Sequence, residues 1–137
     1  MTSSTQSPAG QPLVAQALAA SLTVRDIHAS LAWYRDVVGF EVVQEVQRDG
    51  ALQSAAIRAG EVRLRLNQDD GAKGWDRVKG AGMSFMITTE QEIDAVAARI
   101  KSRGGTLLLE PTDVPWGARV CRVADPDGFI FLISTPV

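Results

Sequence analysis

Asp125-Pro126-Asp127-Gly128 is an unbroken run of turn formers set between two apolar runs, and no other stretch constrains the fold as tightly. Proline presets φ for a tight turn, aspartate bonds its own backbone, and glycine accepts positive φ. Val120-Cys-Arg-Val123 precedes the turn and Phe129-Ile-Phe-Leu-Ile133 follows it. Both are rich in β-branched, aromatic or other apolar residues, so the unit reads as a hairpin that closes the fold. A weaker copy lies earlier: Ser54-Ala-Ala-Ile57, the turn Ala59-Gly60, then Val62-Arg-Leu-Arg-Leu66. The chain is therefore expected to consist of two similar halves.

The remaining elements fit that expectation. Residues 15–24 alternate, with Leu18, Ala20, Leu22 and Val24 on one parity, which predicts a strand with one buried face. Asp26 is placed to cap a helix whose apolar positions Ile27, Leu31, Tyr34 and Val38 recur at helical spacing, and Gly39 stops it. A strand is predicted over residues 40–46, then the hairpin turn Asp49-Gly50. Strands over residues 52–58 and 61–66 complete the first half. Residues 67–81 have the composition of a linker, with Trp75 expected to plug the rim of the core and Asp69-Asp70 expected to be a solvated pair. In the second half Met83, Phe85 and Ile87 alternate with polar or flexible neighbours. Thr89-Glu-Gln-Glu92 reads as a capping box for a helix with the stripe Ile93, Val96, Ala97, Ile100, ended by Gly104-Gly105. A strand over residues 106–110, a loop over 111–117 and the closing hairpin follow. Strand–helix–strand–strand–strand thus occurs twice, each helix covering one face of a four-stranded sheet.

At 137 residues the chain is expected to form one domain, with 45% apolar residues to build its core. Module one is assigned to residues 15–67, a linker to 68–81 and module two to 82–137, after a mobile tail over 1–14. A net charge of −2 gives no reason to expect nucleic acid, and no apolar run reaches membrane-spanning length. The Ser/Thr/Gln/Pro-rich start does not read as a signal peptide. A single cysteine, Cys121, excludes an internal disulfide framework and fits a reducing, cytoplasmic setting.

Several stretches resemble the vicinal-oxygen-chelate superfamily of glyoxalases, bleomycin-resistance proteins and extradiol dioxygenases. They are Leu22-Thr-Val-Arg-Asp-Ile27 with Trp33-Tyr-Arg-Asp-Val-Val-Gly-Phe40, Gly104-Gly105, Pro115-Trp-Gly117 and Asp125-Pro-Asp-Gly-Phe129. The resemblance implies an α+β fold of two tandem βαβββ modules with a central cavity, in a homodimer. It also implies a divalent metal held by His and Glu side chains at four strand positions. Here those positions carry Ala19, Arg65, Gly82 and Leu132. Alanine, glycine and leucine offer no donor and arginine is a fixed cation, so no metal and no other cofactor is expected. A slip of one residue does not restore a ligand set.

On this placement Ser21, Thr23, Arg63, Arg65, Asn67, Ser84, Met86 and Leu132 line the cavity with Ala19, Gly82 and Ile130. The opposite parity, including Leu22, Val24, Leu64, Leu66, Met83, Phe85, Phe131 and Ile133, packs under the helices. Two arginines suit a flat ligand with an anionic or carbonyl group, because the guanidinium is a planar fork of donors. The alternative is that both arginines simply face water. Trp116 and Arg119 in and beside the Pro/Gly loop are further ligand-binding candidates, Trp116 as an aromatic wall. His28, the only histidine, is expected at the surface, and Cys121 as an inert buried thiol.

Two functions follow. The first is a metal-free small-molecule binding protein that sequesters an apolar or aromatic compound, antibiotics among the candidates. The alternative is an enzyme of the superfamily, a lyase, isomerase or dioxygenase acting on a small carbonyl or aromatic substrate. In that case Arg65, Arg119 or Ser84 would polarise the reacting group.

Overall fold

A computed structural model describes residues 10–137. The element order is β1 (Ala20–Val24), α1 (Ile27–Ala32) continued by a wide π turn (Trp33–Val38), β2 (Glu41–Arg48), β3 (Ala51–Ala59), β4 (Val62–Gln68), β5 (Phe85–Thr88), α2 (Ile93–Ser102), β6 (Leu107–Asp113), β7 (Arg119–Ala124) and β8 (Ile130–Ser134). Two four-stranded sheets result, ordered β1-β4-β3-β2 and β5-β8-β7-β6. In each, the first strand runs parallel to the last and the others pair antiparallel. The sequence repeat is therefore a structural repeat of two βαβββ modules.

Local chemistry explains most boundaries. The Asp26 carboxylate accepts the N–H groups of His28 and Ala29 and so caps α1. Gly39 ends the π turn at φ 110°, a conformation that favours glycine, and the Tyr34 carbonyl accepts both Gly39 and Phe40 N–H groups. Asp49 and Gly50, both at positive φ, close the β2–β3 hairpin.

Several expectations change. First, β1 begins at Ala20, not residue 15. Its parallel partner β4 begins at Val62, only two residues before Leu64, the partner of Ala20, so residues 15–17 have no strand to pair with. Leu18 is almost wholly exposed. Second, the capping box does not form. Thr89 stays bound to the sheet through its N–H and the Ser134 carbonyl, its hydroxyl accepts the Gln91 N–H, and the helix starts at Ile93 with Glu92 as the flanking residue. Third, Met83 is half-exposed in a turn ahead of β5 rather than under a helix. Strand β6 also runs on to Asp113 through Pro111, which an edge strand tolerates. Of the tail expected over residues 1–14, residues 1–9 lie outside the described residues.

The helices lie between the sheets. Helix α1 packs on β3 and β4, α2 on β6 and β7, and the π turn touches α2. Side chains of both modules form one apolar core, from Leu22, Val24, Leu64 and Leu66 through Tyr34 to Phe131 and Ile133. Tyr34 stands at the joint, its ring edge-on to Trp33, Phe40 and Phe131. The gap beside it is an apolar void of about 10 Å³, too small for a ligand. The centre of one chain is thus filled, and the opposite face of each sheet is left uncovered by helix.

The Tyr34 hydroxyl donates to Asp125 Oδ2 at 2.7 Å, and both groups are buried. Burial and the Asp125 charge push the phenol far above its ordinary range, so it remains the proton donor. Tyr34→Phe leaves a buried carboxyl short of one partner and is expected to cost about 1–3 kcal/mol in urea unfolding. A loss below about 0.5 kcal/mol would contradict the importance of this bond.

Candidate functional site

Strand β4 supplies the centre of the uncovered face of the first sheet. Its odd positions Arg63, Arg65 and Asn67 point away from the core, because Leu64 and Leu66 are the buried ones. Parallel pairing sets Ser21 beside Arg65 and Thr23 beside Asn67. Antiparallel pairing sets Ala56 on the other side of Arg65 and Ser54 beside Asn67. The sequence-predicted set Ser21, Thr23, Arg63, Arg65 and Asn67 therefore shares one face.

Polar contacts order that face. Asn67 Nδ2 donates to Ser21 Oγ at 2.8 Å, and Arg65 donates to the nearly buried Ser54 Oγ at 3.1 Å. Ser54 was not expected in the site, since its signal lies only in its register with β4. Arg58, opposite Arg63, is held by Glu41 at 2.8 Å, while Arg63 and Arg65 have no carboxylate partner among the described residues. The face carries hydrogen-bond donors and positive charge, with no acid on β1 or β4.

The other predicted residues are elsewhere. Met86 and Leu132 are neighbours on the outer face of the second sheet, with Arg122 beside Leu132. Ser84 precedes β5 and lines an open depression of about 670 Å³ with Gly82, Ile130, Lys79 and Asp127. Trp116 is more than half exposed in the β6–β7 loop. Arg119 is bound by Asp94 at 2.8 Å and by Asp113 at 3.0 Å. These carboxylates raise its pKa and occupy the donors proposed for a ligand. His28 is exposed and Cys121 fully buried, where burial pushes its thiol up.

The linker holds a polar cluster that the sequence did not disclose. Asp69 is buried, not solvated: Lys79 Nζ meets its Oδ2 at 2.6 Å, Arg77 approaches it at 3.4 Å, and the Gly71 N–H donates to Oδ1. Lys79 also lies 3.9 Å from Asp127 Oδ1 in the closing turn. Trp75 does not plug the core rim. It is half-exposed and covers Gly71, where any Cβ would run into the indole.

The four positions that the resemblance implies for metal ligands do not fit a metal. Ala19 immediately precedes β1 and Gly82 lies in the turn before β5, neither with a donor side chain; Leu132 is a strand hydrocarbon, and Arg65 is a fixed cation.

Two βαβββ modules with helices inside and open outer sheet faces define the class. Residues 15–133 match the Glyoxalase/Bleomycin resistance protein/Dioxygenase superfamily, and the chain belongs to it. No curated protein matches it in sequence. Among solved structures it is similar to TioX from Micromonospora sp. ML1, with a TM-score of 0.73 at 18% identity over 90% of this chain and 100% of that one. A member of the same superfamily from Sphaerobacter thermophilus DSM 20745 gives 0.73 at 25% identity, covering 90% and 98%. A family enzyme from Burkholderia phytofirmans PsJN gives 0.69 at 17% identity, covering 87% and 97%. At 17–18% identity the likeness shows the fold alone.

The Asp69 contacts make a pH prediction. Its Lys79 hydrogen bond, followed by that from the Gly71 N–H, pulls its pKa from 3.8 to about 2. A depressed carboxylate stabilises the fold above its unfolded pKa and loses that contribution as pH falls toward the folded value. Between pH 4 and 2 the wild-type melting temperature should fall more steeply than that of Asp69→Asn. Parallel pH profiles would contradict the assignment.

Proposed function

We propose that this protein is a metal-free small-molecule binding protein of the bleomycin-resistance type, taking up an apolar or aromatic compound. The observation that carries the reading is the substitution of Arg65 into the position of a family metal ligand, on an open face built from Ser21, Thr23, Asn67 and Ser54. A guanidinium there recognises oxygen atoms directly and stacks on flat rings. Met86, Leu132 and Ile130 on the second sheet, with the exposed Trp116, supply apolar and aromatic surface.

The same reading makes the working form a homodimer. Strands β1 and β5, like β2 and β6, each pair on one side only, and β1 and β5 border the two candidate faces beside β4 and β8. The Arg65 face and the Met86–Leu132 face belong to different sheets, with the helices of the chain between them. A second copy joined along these edges would set the two faces opposite each other and form a cleft with a polar and an apolar wall. Burial of such a ligand needs no catalytic pair, and among the described residues no group of three His, Cys, Asp or Glu stands ready to hold a metal ion. No described helix is long and apolar enough to cross a membrane.

Thermal denaturation against a panel of planar aromatic and glycopeptide-type compounds tests the binding. A true ligand at about 100 times its Kd should add about 2.7 kcal/mol of stability. Sedimentation equilibrium should give twice the chain mass. A flat panel combined with turnover of a carbonyl or aromatic substrate would replace this reading with the enzymatic one.

A further inference from the structure

We propose that Arg65 is the carboxylate-binding group of the site, so that the compound taken up is an aromatic or apolar carboxylate, its two oxygens held by the guanidinium fork. The proposal rests on the binding reading above and names the ligand chemistry of that same face.

Arg65 differs from every other unpaired cation among the described residues. Arg48, Arg63, Lys73, Arg99, Arg103 and Arg122 also lack a carboxylate partner, but all are exposed. Arg65 is half-buried on β4, an inner strand flanked by β1 and β3. A partly desolvated cation without a counter-ion is costly unless something neutralises it, and a surface arginine normally avoids the position. The neutral Ser54 hydroxyl takes one Nη1 donor at 3.1 Å and orients the group without discharging it. The remaining guanidinium N–H groups are left for a ligand.

The surroundings are selective for an anion. Ser21 and Ala56, the register partners on either side, are both small. Ser21 Oγ already accepts from Asn67 Nδ2, so its hydroxyl hydrogen is free to donate outward. Arg63, two residues along the same face, adds positive potential. These donors share one face, and no carboxylate on β1 or β4 competes. A bidentate carboxylate suits this fork better than a single neutral carbonyl, because both oxygens are charged and coplanar with the donors.

A matched pair of probes, 2-naphthoate and 2-naphthamide, isolates the charge while keeping the ring. Titration of the full-length protein, read by calorimetry, should show naphthoate binding at least roughly 10-fold tighter than naphthamide, as a charged hydrogen bond implies. Arg65→Gln should weaken naphthoate roughly 10- to 100-fold and leave naphthamide unchanged. Arg65→Lys, which keeps charge but loses the fork, should fall between. Melting curves without ligand check that both variants fold. If Arg65→Gln does not, the naphthoate-to-naphthamide ratio in wild type and the lysine variant still decide. Equal affinity for the two probes, or unchanged naphthoate binding in both variants, overturns the carboxylate assignment and leaves the binding reading standing. Neutral aromatics binding while naphthoate does not has the same meaning. No binding by either probe or by any compound in the wider panel overturns both.

Discussion

The architecture depends on what the turn before β8 does with its two aspartates. Asp125 accepts the Tyr34 hydroxyl from module one and the N–H groups of Asp127 and Phe129 from its own turn. Asp127 accepts the Arg25 N–H and approaches the Ser30 hydroxyl, both at the start of module one's helix. The turn that closes the second module is therefore also the dock for the first. With the two modules joined by their helices, the sheets turn their remaining faces outward. A buried polar joint of this kind is demanding: unmatched groups would cost more than the bonds gain, so its geometry favours one mutual placement of the modules.

That placement sets the two candidate faces apart. The Arg65 face and the Met86–Leu132 face lie on separate sheets, and the interior between them is filled by Tyr34, Phe131 and their neighbours. The linker adds its own lock, since Lys79 bridges Asp69 at one end of the linker toward Asp127 of the closing turn. Both features hold the modules back to back, and the strand order makes β1 and β5, like β2 and β6, edge strands.

Much of this was legible where the signal is local. The Asp26 cap, the Gly39 stop, the Asp49-Gly50 turn and the alternation of Leu64 and Leu66 with Arg63 and Arg65 depend on neighbours within a few residues. The failures came where distant partners decide. Residues 15–17 alternate like a strand but outrun β4, and Thr89 has the right spacing for a capping box but is claimed by Ser134. The buried state of Asp69 depends on Lys79, and the role of Tyr34 on a carboxylate 91 residues away. Ser54 is found only through strand register. On the candidate face, residue identities were readable while the Ser54 contact that orients Arg65 was not, and on β7 of the other sheet the carboxylates that occupy Arg119 were not either.

The fold hosts many activities, so function rests on the site and not on the likeness to TioX or other relatives. At the positions where the resemblance implies metal ligands stand a fixed cation and side chains without donors, which make no metal site. Elemental analysis of tag-free protein, after chelation and again after reloading with Ni, Mn, Fe or Zn, tests this most directly. No stoichiometric metal is expected in either sample. About one tightly held metal per chain would contradict it and would mean that other side chains form the site.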